Sequence, residues 1–159
     1  MELITDKEIL NQYINKYEID NIFEQDMTSW MKLHYYQEGE NIYSLEEEPE
    51  YFYFLVKGKL KVYILLENGK KVLLRFNKPL GIQGDLELMG DYKVKANVEA
   101  VNDSFLIGIK MNYINQFATD DSKFLRFVIE HLSHKLYTLS NAMALNLSYP
   151  LKNRLASYL

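Results

Sequence analysis

The residues best placed to do chemistry lie in one glycine-bounded turn, Gly81-Ile82-Gln83-Gly84-Asp85-Leu86-Glu87-Leu88. Gly84 lets a backbone approach a ligand closely, and successive amides in such a turn form a nest for an anion. Asp85 and Glu87 alternate around Leu86. They could meet a ligand hydroxyl or amine, or cap local backbone. The plainer alternative is that the glycines serve only backbone shape, and a lone glycine turn is weak evidence against it. Two carboxylates suggest glycoside hydrolysis only where a cleft apposes them.

Other chemistry is thin. The chain has no cysteine, which excludes disulfides, iron–sulfur clusters and thiolate zinc sites. Its three histidines are His34, His131 and His134. The last two share a face of a predicted helix, but a metal needs more ligands than that pair supplies. Net charge is −4 over 159 residues. Without a basic stripe, the chain does not look built to hold DNA itself. No apolar run approaches the roughly 18 residues of a membrane span, and Met1–Asp6 lacks the regions of a signal peptide. A cytoplasmic location is expected.

The elements that must position the turn are mostly strands. Residues 5–17 predict a helix with capping-box spacing at Thr5 and Glu8, and 21–31 a second short helix or turn. From about Lys32 to Lys110 the period is that of strands. Tyr51-Phe52-Tyr53-Phe54-Leu55-Val56 reads as a buried strand, and Lys59 to Ile64 as a half-buried one. Asn68-Gly69 marks a hairpin. Val94 to Ala100 alternates again, and Ser104 to Ile109 follows. Short, regularly spaced strands predict a mainly β protein: a jelly roll, or double-stranded β-helix barrel, with flanking helices.

A short helix at 111–118 and a long one at 120–146 complete the pattern. In the long helix Leu125, Ile129, Leu132, Leu136, Leu139 and Met143 are spaced 4, 3, 4, 3, 4. This narrow heptad seam predicts a parallel homodimer, with Phe124, Phe127 and Val128 left to pack on the barrel. Pro150 breaks the helix, so a hinge is expected at Ser148, Tyr149 and Pro150. Residues 150–159 restart as a helix.

In order and spacing these elements resemble the sensory half of the Crp/Fnr family of transcription factors. Gly39-Glu40-Asn41-Ile42 and Tyr51 through Val62 carry the resemblance. Gly84-Asp85-Leu86 is similar to the start of that family's phosphate-binding cassette, and Asn153-Arg154-Leu155-Ala156 to the first helix after its dimer helix. The resemblance implies a sensor barrel over 1–118, a dimerisation helix over 119–147, and over 148–159 the start of a truncated helix-turn-helix domain that binds DNA. It also implies effector-pocket candidates at Gly84, Asp85, Leu86, Glu87, Val94, Lys95 and Ala96.

The chain departs from the cyclic-nucleotide-binding members at two points. They carry Gly-Glu at the cassette start, where the glutamate takes the ribose hydroxyl, and Arg-Ser or Arg-Thr at its end, where the arginine neutralises the phosphate. Here Asp85 replaces the glutamate, and Val94-Lys95-Ala96 stands where Arg-Ser-Ala would be. Strand alternation would let only one of Val94 and Lys95 enter the cup. Loss of a charge-assisted pair costs on the order of 2–5 kcal/mol, which disfavours cyclic AMP. The effector, if a small molecule, is therefore unknown. A haem branch would need an axial ligand, and the barrel offers only His34. Cupin-type catalysis needs several barrel histidines, so an enzyme is not expected. A stand-alone regulatory module that binds a partner protein is the competing reading.

Overall fold

The computed structural model describes residues 1–148. Nine strands form two antiparallel sheets: β1 (Glu2–Ile4), β2 (Lys32–Tyr36), β3 (Asn41–Tyr43), β4 (Tyr51–Lys57), β5 (Leu60–Leu65), β6 (Lys71–Asn77), β7 (Ile82–Gln83), β8 (Asn97–Ala100) and β9 (Ser104–Lys110). One sheet runs β1-β2-β9-β4-β7 and the other β3-β8-β5-β6. The α-helices among the described residues are α1 (Lys7–Tyr17), α2 (Asp85–Gly90), α3 (Met111–Phe117) and α4 (Ser122–Ser148). This is the expected jelly roll with flanking helices and a long C-terminal helix.

β4 explains why the fold has two cores. Its apolar run is unbroken because both of its faces are covered, which strand alternation then divides. Phe52, Phe54 and Val56 face the helices, in a core with Ile107, Ile109, Phe23, Phe124 and Val128. Tyr53 and Leu55 face the inside of the roll, with Tyr36, Tyr43, Leu60, Val62 and Val98. Helices therefore sit outside one sheet while the second sheet closes the roll on its inner side.

Local details differ from expectation for physical reasons. The cap of α1 is Asp6, not Thr5: its carboxylate accepts from the Glu8 and Ile9 amides at 2.9 and 3.4 Å. The segment expected as a short helix or turn over 21–31 is of the turn kind, with two 3-10 turns at Ile19–Ile22 and Thr28–Trp30, the first starting before residue 21. β8 starts at Asn97, three residues after Val94. Val94 instead exchanges backbone hydrogen bonds with the loop at Glu46 and Glu47. Gly58 holds the β4–β5 turn at φ +101°, and a Cβ there would meet the Ser104 Cα at 2.8 Å. Asp121 caps α4, accepting from Phe124 N at 3.1 Å and from Glu24 N at 2.8 Å. That second bond ties the start of the long helix to the N-terminal segment.

Candidate functional site

The turn after β7 winds into a helix. Gly84 is the N-cap of α2 at φ +98°, in the left-handed region that favours glycine. A Cβ there would crowd Met111 Cε and the Tyr43 hydroxyl. Asp85 opens α2 and is buried, while Leu86, beside it, is exposed.

Asp85 is already engaged. Lys135, reaching in from α4, places Nζ 2.6 Å from its Oδ2 and also donates to the Ile82 carbonyl at 3.3 Å. Glu87 and Arg75 complete a compact charged group around this pair. Burial pushes the Glu87 carboxyl above the usual range, and neighbouring Asp85 adds to the rise. Burial depresses the Lys135 ammonium, against the pull of Asp85. Burial also depresses the Arg75 guanidinium. Its Nε has no hydrogen-bond partner. The turn can still offer backbone amides to a ligand, but the carboxylate that would grip a hydroxyl is held by α4.

At the other end of the turn, Val94 is 1% exposed and packed in the inner core with Tyr36, Tyr43 and Tyr53. Ala96 packs on the edge of that core. Lys95 points away, its side chain 72% exposed and paired with Glu46 at 2.8 Å. Of Val94 and Lys95, only the uncharged residue enters the roll. The inside of the roll is occupied by hydrogen-bonded aromatics. The Tyr53 hydroxyl lies 2.7 Å from His34 Nδ1 and 2.9 Å from the Tyr36 hydroxyl, and Tyr43 donates to the Tyr51 carbonyl. Burial lowers the His34 imidazole to about 4.

A model of the cyclic nucleotide-binding domain matches residues 33–121. The chain belongs to the cyclic nucleotide-binding domain family. It is 28% identical over 138 residues to the regulatory protein YeiL of Escherichia coli O157:H7, covering 86% of this chain and 63% of that protein. The chain thus spans less than two thirds of that curated relative. Among solved structures it is similar to a putative transcriptional regulator of the Crp/Fnr family from Eubacterium rectale, with a TM-score of 0.72, 16% identity, and 83% of this chain and 62% of the other covered. It also resembles the sensor domain of the transcriptional regulator DNR from Pseudomonas aeruginosa, with a TM-score of 0.65, 17% identity, and 85% and 93% of the two chains covered. These structural likenesses show a shared fold.

The cassette-like turn, which lies inside the matched domain, and the long helix that follows that domain are in direct contact. α4 uses one face for the barrel: Phe124 and Val128 are fully buried, and Phe127 and Leu132 pack on the same core. His131 also faces it, with ring nitrogens 3.0 Å from the Phe127 carbonyl and 3.1 Å from the Leu80 carbonyl. The seam residues divide. Leu125 and Leu132 are half-buried. Ile129 is 63% exposed and Leu136 65%, and Leu139 and Met143 are open as well. Of the expected hinge, Ser148 is the last residue of α4, while Tyr149, Pro150 and the helix restart lie outside the described residues.

Sequence reading missed Arg75 and Lys135. Each looks like an ordinary solvent-facing residue on its own element. Only the fold brings them to Asp85 and Glu87. Among the described residues no group of three or more His, Asp or Glu could hold a metal ion, and no helix is long and apolar enough to cross a membrane.

Proposed function

We propose that the chain is the sensory and dimerisation part of a homodimeric, cytoplasmic Crp/Fnr-like transcriptional regulator, not an enzyme. DNA would be bound by a domain C-terminal to the described residues. One observation carries this reading: the cassette carboxylate of Asp85 is tied by Lys135 to a helix whose remaining face is an open apolar seam. A change at the cassette therefore acts directly on the helix expected to pair with its twin. A two-state shift in that helix would set the spacing of two recognition helices on half-sites about 34 Å apart.

The effector in this reading is not cyclic AMP. A cyclic phosphate needs a cation where Val94 is packed among tyrosines, and Asp85 would have to exchange Lys135 for the ribose. Calorimetric titration of cyclic AMP and cyclic GMP should give no heat of binding at ligand concentrations up to the millimolar range. The regulator reading is tested with the full reading frame. A dimer of the full-length protein should retard duplex DNA carrying a two-fold-symmetric site. A reading frame with no basic recognition helix, or a full-length protein indifferent to DNA, would instead support a stand-alone partner-binding module.

A further inference from the structure

Between β6 with its following loop and the outer half of α4 lies a groove of about 790 Å³, lined by Arg75, Asn77, Leu80, Leu86, Leu132 and Leu139 among others. That volume suits a drug-sized molecule. Its apolar walls are chiefly leucine, with Pro79, Ile82 and Ala142. Its polar lining includes Arg75 and Asn77 on β6 and His131, His134, Lys135 and Thr138 on α4; two polar atoms, both on β6, lack partners. Arg75 Nε and Asn77 Nδ2 are both buried and neither has a hydrogen-bond partner. Asn77 is only 8% exposed.

Strand register places both on one side. Arg75 pairs with Val62 and Asn77 with Leu60, two inward residues of β5. Phe76, between them, faces outward under the Lys59 ammonium, 4.2 Å from its ring. Among the described residues Arg75 makes no ion pair, whereas Lys135 beside it has Asp85. A buried donor left without a partner is destabilising, and although Asp85 and Glu87 lie near enough to act on the Arg75 charge, neither takes its Nε hydrogen. The two adjacent vacant donors, one of them cationic, are complementary to a carboxylate.

We propose that this groove binds an amphipathic monocarboxylate, with its carboxylate on Arg75 and Asn77 and its apolar body along Leu80, Leu86 and Leu132. This deepens the sensor reading and rests on it for its regulatory consequence, though not for binding itself. Because Leu132 and Lys135 belong to α4, such a ligand would bridge the barrel and the seam helix. Recognition would use β6 and leave the apolar position at Val94 untouched.

The test uses octanoate and 4-phenylbutyrate, each paired with the alcohol of the same carbon skeleton, in calorimetry and thermal melts of the protein. At least one acid should bind at least tenfold more tightly than its alcohol and raise the melting temperature. Arg75→Met, which keeps the apolar stem, should abolish that preference. Asn77→Asp, which sets a negative charge beside the head group at nearly constant volume, should weaken the acid and spare the alcohol. No binding by either acid, equal binding of acid and alcohol, or an unchanged preference in Arg75→Met would each overturn the proposal. So would acid binding that vanishes as the protein is concentrated into dimers, since a second copy would then fill the groove. Sedimentation and DNA binding of the unliganded protein are read separately, so failure of the sensor reading leaves a distinct signature.

Discussion

At the scale of single residues, the Lys135–Asp85 pair couples the cassette to the long helix through a buried charge contact. The Asp85 side chain is 4% exposed and that of Lys135 17%. Removing the lysine alone leaves a buried carboxylate without its counter-charge. Lys135→Met should destabilise the protein by on the order of 3 kcal/mol, whereas adding Asp85→Leu should restore most of the loss, because an apolar pair of similar volume avoids both desolvation penalties. Urea denaturation of the two variants checks this, and a double variant no better than the single would show that the pair is not coupled. His34 gives a second expectation with a defined sign. It is held neutral, with its folded value lowered from 6.5 to about 4. The unfolded chain therefore takes up a proton first as pH falls, and stability present above about 6.5 is lost progressively down to about 4. Allowing for solvent relaxation, the loss between about pH 7.5 and pH 5 is on the order of 1–2 kcal/mol. Glu87, raised by burial, works in the opposite direction and partly masks it. The slope should flatten in His34→Gln, compared by denaturant midpoints across that range. An identical slope in the variant would remove His34 as its source.

At the scale of elements, α4 buries one face over its first half and leaves an apolar face open over its second. Phe124, Phe127, Val128 and Leu132 anchor it on the barrel. Leu136, Leu139 and Met143 leave apolar side chains in solvent, the situation a twin helix would relieve. Charge on the anchored half would unfold the domain, so the informative substitutions lie further out. Leu136→Glu with Leu139→Glu should convert a dimer to a monomer with little change in the monomer's own melting. Sedimentation velocity decides it, and an unchanged dimer would place the interface elsewhere. The heptad was legible because a 3.5-residue repeat survives in sequence whatever the helix touches. The division of that seam was not: Leu125 and Leu132 look the same as Ile129 and Leu136 until the barrel is folded against them. The strands were legible through alternation and through the two-sided run of β4. Val94 was legible as a missing charge, but its place among Tyr36, Tyr43 and Tyr53 depends on loop pairing with Glu46 and Glu47. Arg75 and Lys135 carried no local signal, because lone cations on a strand and on a helix are ordinary until the fold brings them together.

At the scale of the whole molecule, the two cores share the central strands β4 and β9, and the outlying parts hang from them. Phe52 and Phe54 look to the helices while Tyr53 and Leu55 look into the roll, so β4 cannot open without exposing both cores. Its amides should exchange only through global unfolding. The outer half of α4 has no such support within one protomer, since Tyr137, Leu139, Met143 and Leu145 are all exposed. A helix end with few buried contacts frays at little free-energy cost. Association through that half, as proposed, would change the balance for α4 alone. Hydrogen exchange measured over a hundredfold range of protein concentration should show protection rising for residues beyond Leu136 while β4 and β9 stay constant. If protection of the outer half does not depend on concentration, that half is stable without a twin, and the switch cannot work by ordering it. If β4 responds together with α4, the barrel and helix form a single cooperative unit, and a cassette signal would have to move the helix as a rigid body.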